Sequence, residues 1–105
     1  MTKIKNIVQD CIDGCTAHNI NEERMHFNIN YYVNNAHGQG TKYYCFVYKV
    51  RDLEENLYNI IRDNLTKDSD VVITDITIKN GDDIIRVNKN CYPYSLNYFM
   101  ESLLG

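Results

Sequence analysis

The sequence predicts an α+β fold. Residues 1–105 read as a single two-layer domain, with an antiparallel sheet of two hairpins packed against three helices in the order αββαββα. Three observations predict it. Apolar residues recur at helical spacing in three separate stretches. Between them lie two pairs of β-branched and aromatic runs joined by turn residues. Finally, 105 residues with no Pro-, Gly- or Ser-rich linker suit one core and do not need a disulfide or metal to fold.

The first helix is expected from Lys3 to about Ala17, where Ile4, Ile7, Val8, Cys11 and Cys15 share a face. Gly14 weakens its later turns and Asn19 is a suitable stop. Met25 to Asn34 alternates. Met25, Phe27, Ile29, Tyr31 and Val33 point one way, and His26, Asn28, Asn30, Tyr32 and Asn34 the other, which predicts a strand with one buried face. After the connection NNAHGQGT, Lys42 to Val50 is apolar on both faces, as suits a central strand or one that meets a partner.

Asp52 and Glu55 have the spacing of an N-cap pair. They precede a helix with Leu53, Leu57, Ile60, Ile61 and Leu65 as its stripe. Val71 to Lys79 and Ile84 to Val87 form the second hairpin about Asn80-Gly81, with Ile78 expected opposite Ile85 and Ile76 opposite Val87. Tyr92-Pro93 breaks the chain. A last helix is expected to start near Pro93 or Ser95, with Leu96, Phe99, Met100 and Leu103 as its stripe. This order of elements is loosely similar to that of type III secretion chaperones, with no residue motif in common.

The segment CIDGCTAH places Cys11, Cys15 and His18 on one helical face, and two readings compete there. Zinc requires about four convergent ligands, and only Cys45 or Cys91 is left to complete the set; no second closely spaced cysteine pair follows. Cys11 and Cys15 also continue the Ile4–Ile7–Val8 stripe, and buried free cysteine behaves as a small hydrophobe. Packing is the preferred reading, so no metal or other cofactor is expected. Cys45 or Cys91 with a histidine would make a dyad only if the fold brought them together. No nucleophile elbow or P-loop occurs. The function is therefore expected to be binding without catalysis.

Net charge is −3, whereas affinity for phosphate backbones comes from Lys and Arg. No run of about 18 apolar residues suggests a membrane span, and the first residues carry charge where a signal peptide has its apolar core. A cytoplasmic protein with free thiols is expected. The surplus that stands out is tyrosine. Tyr31, Tyr32, Tyr43, Tyr44 and Tyr48 lie on the first hairpin, and Tyr92, Tyr94 and Tyr98 surround the last helix. Tyrosine suits protein interfaces because it buries a large area and keeps a polar tip. The expected contact residues are Asn30, Tyr32, Asn34, His37, Tyr43 and Tyr44.

Small size, acidity, no catalytic motif and a composition favoured by AT-rich coding sequence suggest an inhibitor or regulator of a host protein. Its origin would be a phage or mobile element, its kind anti-defence or anti-CRISPR-like, and its place the bacterial cytoplasm. Two further readings are a single-stranded nucleic-acid binder that stacks bases on the Tyr-rich hairpin, and a chaperone-like or homodimeric adaptor.

Overall fold

The computed structural model describes residues 2–96. Helix α1 spans Ile4–Ala17 and is followed by strands β1 (Phe27–Asn35) and β2 (Gly40–Val47). Helix α2 (Leu53–Asn64) precedes β3 (Ser69–Asn80), β4 (Asp83–Arg86) and β5 (Tyr92–Tyr94). Short 3-10 turns at Glu22–Arg24 and Val50–Asp52 lead into β1 and α2. The five strands form one antiparallel sheet in the order β2-β1-β3-β4, and β5 joins β3 beside a different stretch from β4.

The class is α+β as expected, but the order αββαββα is not what forms. The described residues hold two α-helices and five strands. The expected C-terminal helix, with Phe99, Met100 and Leu103, lies outside them except for Leu96. Where the sequence suggests a break at Tyr92-Pro93, the chain adds a strand. Pro93 lacks an N–H, yet it pairs with Val72 in the outermost strand there and stays exposed. A sheet margin tolerates proline for that reason.

Each helix buries the stripe its spacing predicts: Ile7, Cys11 and Cys15 from α1, and Leu53, Leu57, Ile60 and Ile61 from α2. They cover one face of the sheet, meeting Phe27, Ile29, Val47, Val71, Ile73, Ile76 and Ile78 in a single core. The packing role expected of Cys11 and Cys15 is the one they have. Asn19 ends α1 with a left-handed backbone (φ 56°), which lets Ile20 N–H reach Cys15 O at 2.8 Å. The expected cap of α2 does not form. The 3-10 turn draws Asp52 into helical dihedrals (φ −93°, ψ −5°), its side chain caps nothing, and its carbonyl accepts from Asn56 Nδ2 at 2.8 Å.

In the first hairpin Tyr31 pairs with Tyr43 and Asn30 with Tyr44. In the second, Ile78 pairs with Ile85 as expected, and Val87 N–H donates to Ile76 O at 2.8 Å. Between them β3 carries a bulge. Asn30 pairs with Asp75 but Tyr31 with Ile73, so Thr74 is the extra residue, and its hydroxyl donates to Asn30 O at 3.1 Å. One inserted residue reverses parity along a strand. Val71 and Ile73 therefore face the same core as Ile76 and Ile78. The uninterrupted extended reading of Val71 to Lys79 misses this.

Tyr92 and Tyr94 are buried, and each ties β5 to the start of the chain. Tyr92 Oη donates to Asp10 Oδ2 at 2.8 Å, and Tyr94 Oη to Thr2 O at 2.6 Å. Burial first, and then the Asp10 carboxylate, push the Tyr92 phenol from 10.0 to about 12; burial followed by Tyr92 also raises Tyr94. Burial, with Cys15 and Asp10 adding to it, pushes the Cys11 thiol from 9.0 to about 12. These groups fold in their neutral forms. Their contribution to stability is complete below the unfolded values and is lost as pH rises towards the folded ones. Stability to urea is therefore expected to hold up to pH 9.0 and to fall steadily towards about pH 12. Urea titrations across this range check it, and Tyr92→Phe should flatten the slope above pH 10.0.

Candidate protein-binding surface

Helices cover one face of the sheet, and the other is open. Strand register arranges the open face in rows. Tyr44 on β2 lies beside Asn30 on β1 and Asp75 on β3; the next row is Phe46, Asn28, Thr77 and Arg86. In a further row Tyr48 lies next to His26, their rings edge-on with centroids 5.0 Å apart, and Lys79 pairs with Ile84. Lys42 sits over the Tyr32 ring, 5.7 Å from its centroid. Asn34 continues the face at the far end, opposite Gly40.

The apolar side chains on this face are unusually bare. Relative exposure is 66% for Tyr44, 58% for Phe46, 68% for Tyr48 and 75% for Ile84. Tyr44 and Phe46 meet edge-on at 5.5 Å. Between Phe46 on one side and Ile84 on the other runs a groove of about 620 Å³, floored by Asn28 and Thr77 and ended by His26, Arg24 and Lys79. Among the described residues no carboxylate lines it, although the chain is net acidic. Asn28 Oδ1 is buried in the floor and has no hydrogen-bond partner among the described residues.

Of the six expected contact residues, Asn30, Tyr32, Asn34 and Tyr44 lie together on this open face. Tyr43 does not. It points to the helix side and stacks on Tyr31, ring centroids 5.6 Å apart and 22° between planes, while staying 46% exposed. His37 lies in the turn at the tip of the hairpin, where its N–H donates to Asn35 Oδ1 at 2.9 Å, away from the groove. Sequence reasoning missed Phe46, Tyr48, His26 and Ile84. Phe46 and Tyr48 share parity with Tyr44, so fixing Val47 as core would have placed both outside.

The cysteines offer no second site. Cys45 is half-buried against Asn56, Sγ 3.9 Å from its Oδ1, while Cys91 is exposed and contacts Thr74 O at 3.8 Å. Burial raises the Cys45 thiol, which disfavours a thiolate. His18 lies exposed past the end of α1, where its backbone N–H closes the last turn. Among the described residues, no three His, Cys, Asp or Glu side chains come together as a metal site would require.

No known family model, curated protein or solved structure matches the chain. Its function has to be argued from this surface.

Proposed function

We propose that the chain is a non-catalytic binding module that docks another protein on the open face of its sheet. The observation that carries this reading is the set of bare apolar side chains, Tyr44, Phe46, Tyr48 and Ile84, framing a groove with a polar floor. Apolar anchors around a cleft, ringed by groups that can hydrogen-bond, are the anatomy of a protein interface. A partner's apolar side chain would lodge between Phe46 and Ile84. A donor beside it would meet Asn28, and an acidic group would meet Arg24 or Lys79. The particular form we carry forward is an inhibitor or regulator of a host protein, encoded by a phage or mobile element and acting in the bacterial cytoplasm. Net charge of −3 and a composition favoured by AT-rich coding sequence support that form.

The test is capture from bacterial lysates with three variants in parallel. Ile84→Glu and Tyr32→Ala should each weaken a stoichiometric partner by roughly 30-fold, the cost of losing an interface anchor. Glu54→Ala, on the exposed side of α2, should leave binding unchanged. Equal binding by all three would overturn the reading.

A second reading, single-stranded nucleic acid, has one observation in its favour: Arg24, Lys42, Lys79 and Arg86 all lie on or beside this face. Against it, Arg86 is already bound to Asp75 at 3.3 Å. The middle of the sheet carries Asn28, Asn30, Asp75 and Thr77 in place of aromatic platforms for bases. Oligonucleotide affinity that falls steeply with salt would establish this reading in place of the first.

A further inference from the structure

The two margins of the sheet are finished differently. Beyond β3 the margin consists of β4, four residues long, and β5, three residues long. Asp82 precedes one and Asp83 opens it, and exposed Pro93 occupies the other. Short, charged and proline-bearing margins are how proteins prevent edge-to-edge pairing. Strand β2 is less defended, with one charge, Lys42, near its start and no proline. It is eight residues long and, among the described residues, pairs on one side only, with β1. From Tyr43 to Tyr48 the chain reads YYCFVY, six residues without charge, proline or glycine. Such a strand presents a row of unpaired backbone N–H and C=O groups to any extended chain.

We propose that β2 pairs antiparallel with β2 of a second copy of this chain, joining two five-stranded sheets into one across a two-fold axis. An axis normal to the sheet sets open-face residues opposite open-face residues, so it passes beside a single β2 residue. Centred on Cys45, it places Tyr44 opposite Phe46 of the second copy and brings Lys42 near Tyr48 of the second copy, just past the end of its strand at Val47. These are aromatic and cation–π cross-strand pairs. Lys42 in the strand and Lys49 beyond it do not face each other, since Lys49 falls opposite Thr41 of the second copy.

The strand is thus complementary to itself. At ~150–250 Å² per aromatic side chain, Tyr43, Tyr44, Phe46 and Tyr48 of both copies offer on the order of 1,000 Å² of exposed surface. Edge pairing covers only part of that surface, at or below the lower limit of a specific interface, so a weak, reversible dimer is expected, with a dissociation constant of about 10 μM. The pairing uses the edge of the sheet. Tyr44, Phe46 and Tyr48 border both the edge and the groove, but Ile84 lies on the opposite margin, so Ile84→Glu bears on the groove alone and is expected to leave the dimer unchanged.

Sedimentation equilibrium of the full chain tests it, with two charge variants. In Y44K/F46K the pairing sets lysines opposite lysines, and in Y44E/F46E carboxylates opposite carboxylates. Each variant is expected to dimerise at least about tenfold more weakly than wild type. An equimolar mixture should form a heterodimer as tight as the wild-type dimer or tighter, which also shows that both variants are folded. A wild-type chain that stays monomeric to about 200 μM, about twenty times the expected constant, overturns the proposal. So does a dimer that neither variant weakens, or a mixture that fails to restore association. Because Tyr44 and Phe46 also frame the groove, loss of a captured protein in Y44K/F46K bears on the docking proposal, and the dimer stands or falls on sedimentation alone.

Discussion

Asn88→Ala is expected to lower the free energy of unfolding by ~3–4 kcal/mol, and Asn88→Asp by at least as much. Asn88 is the one buried polar side chain among the described residues. It sits where β3 changes partners. Residues Val71 to Ile73 pair with β5 and Thr77 to Asn80 with β4, so the edge between them has no strand alongside. The Asn88 amide takes a strand's place. Its Oδ1 accepts from Ile76 N–H at 2.8 Å and from Arg86 Nε at 3.1 Å. Its Nδ2 donates to Thr74 O at 3.1 Å and to Asn90 O at 2.7 Å. Alanine leaves the Ile76 N–H without its partner, at about 1–3 kcal/mol, and takes one hydrogen bond each from Thr74 O and Asn90 O, at about 1 kcal/mol apiece. Aspartate keeps the acceptor but turns a carboxylate towards two carbonyl oxygens. Urea denaturation measures both. A loss below about 1 kcal/mol for alanine would mean that water replaces the amide, and that the bulged centre of β3 is looser than drawn here.

Asn88 also shows where sequence reading stops. Both helices, the alternation of β1 and the Asn80-Gly81 hairpin are local patterns. A 3.6-residue stripe such as Leu53–Leu57–Ile60–Ile61 or a 2-residue alternation such as Phe27–Ile29–Tyr31 is written in consecutive residues. The bulge at Thr74 is not. It depends on which residues of β1 lie opposite, and β-branched residues fill both faces of that run. Strand β5 hides behind a proline that reads as a break until the sheet margin is known. The same limit applies to the surface. Alternation placed Asn30, Tyr32 and Asn34 on the face away from the core. The order of strands decided that β2 is a margin and that Phe46 and Ile84 face each other across a groove. An apolar strand suits a central place or a partnered edge equally well, and only long-range pairing separates the two.

Gly14→Ala tests the other long-range element, the fit of α1 against the segment after β4, and is expected to destabilise the protein by ~2–3 kcal/mol. Local reasoning gives the opposite sign. Alanine is the better helix former by about 1 kcal/mol, and Gly14 lies inside α1 between two buried cysteines. But a Cβ at position 14 would stand 2.3 Å from Val87 O and 2.9 Å from Val87 C and Cα. Those atoms are backbone, and no side-chain rotation relieves the overlap. Val87 is further held in place by its N–H bond to Ile76 O and by Asn88 beside it. The helix must therefore move off the sheet, parting Cys11 and Cys15 from the core they help close. The cost of that movement exceeds the propensity gain. Thermal and urea unfolding of Gly14→Ala read the balance directly, and a more stable variant would show that α1 slides freely over Val87. Such sliding would also remove the reason for a glycine where the helix meets the Val87 backbone.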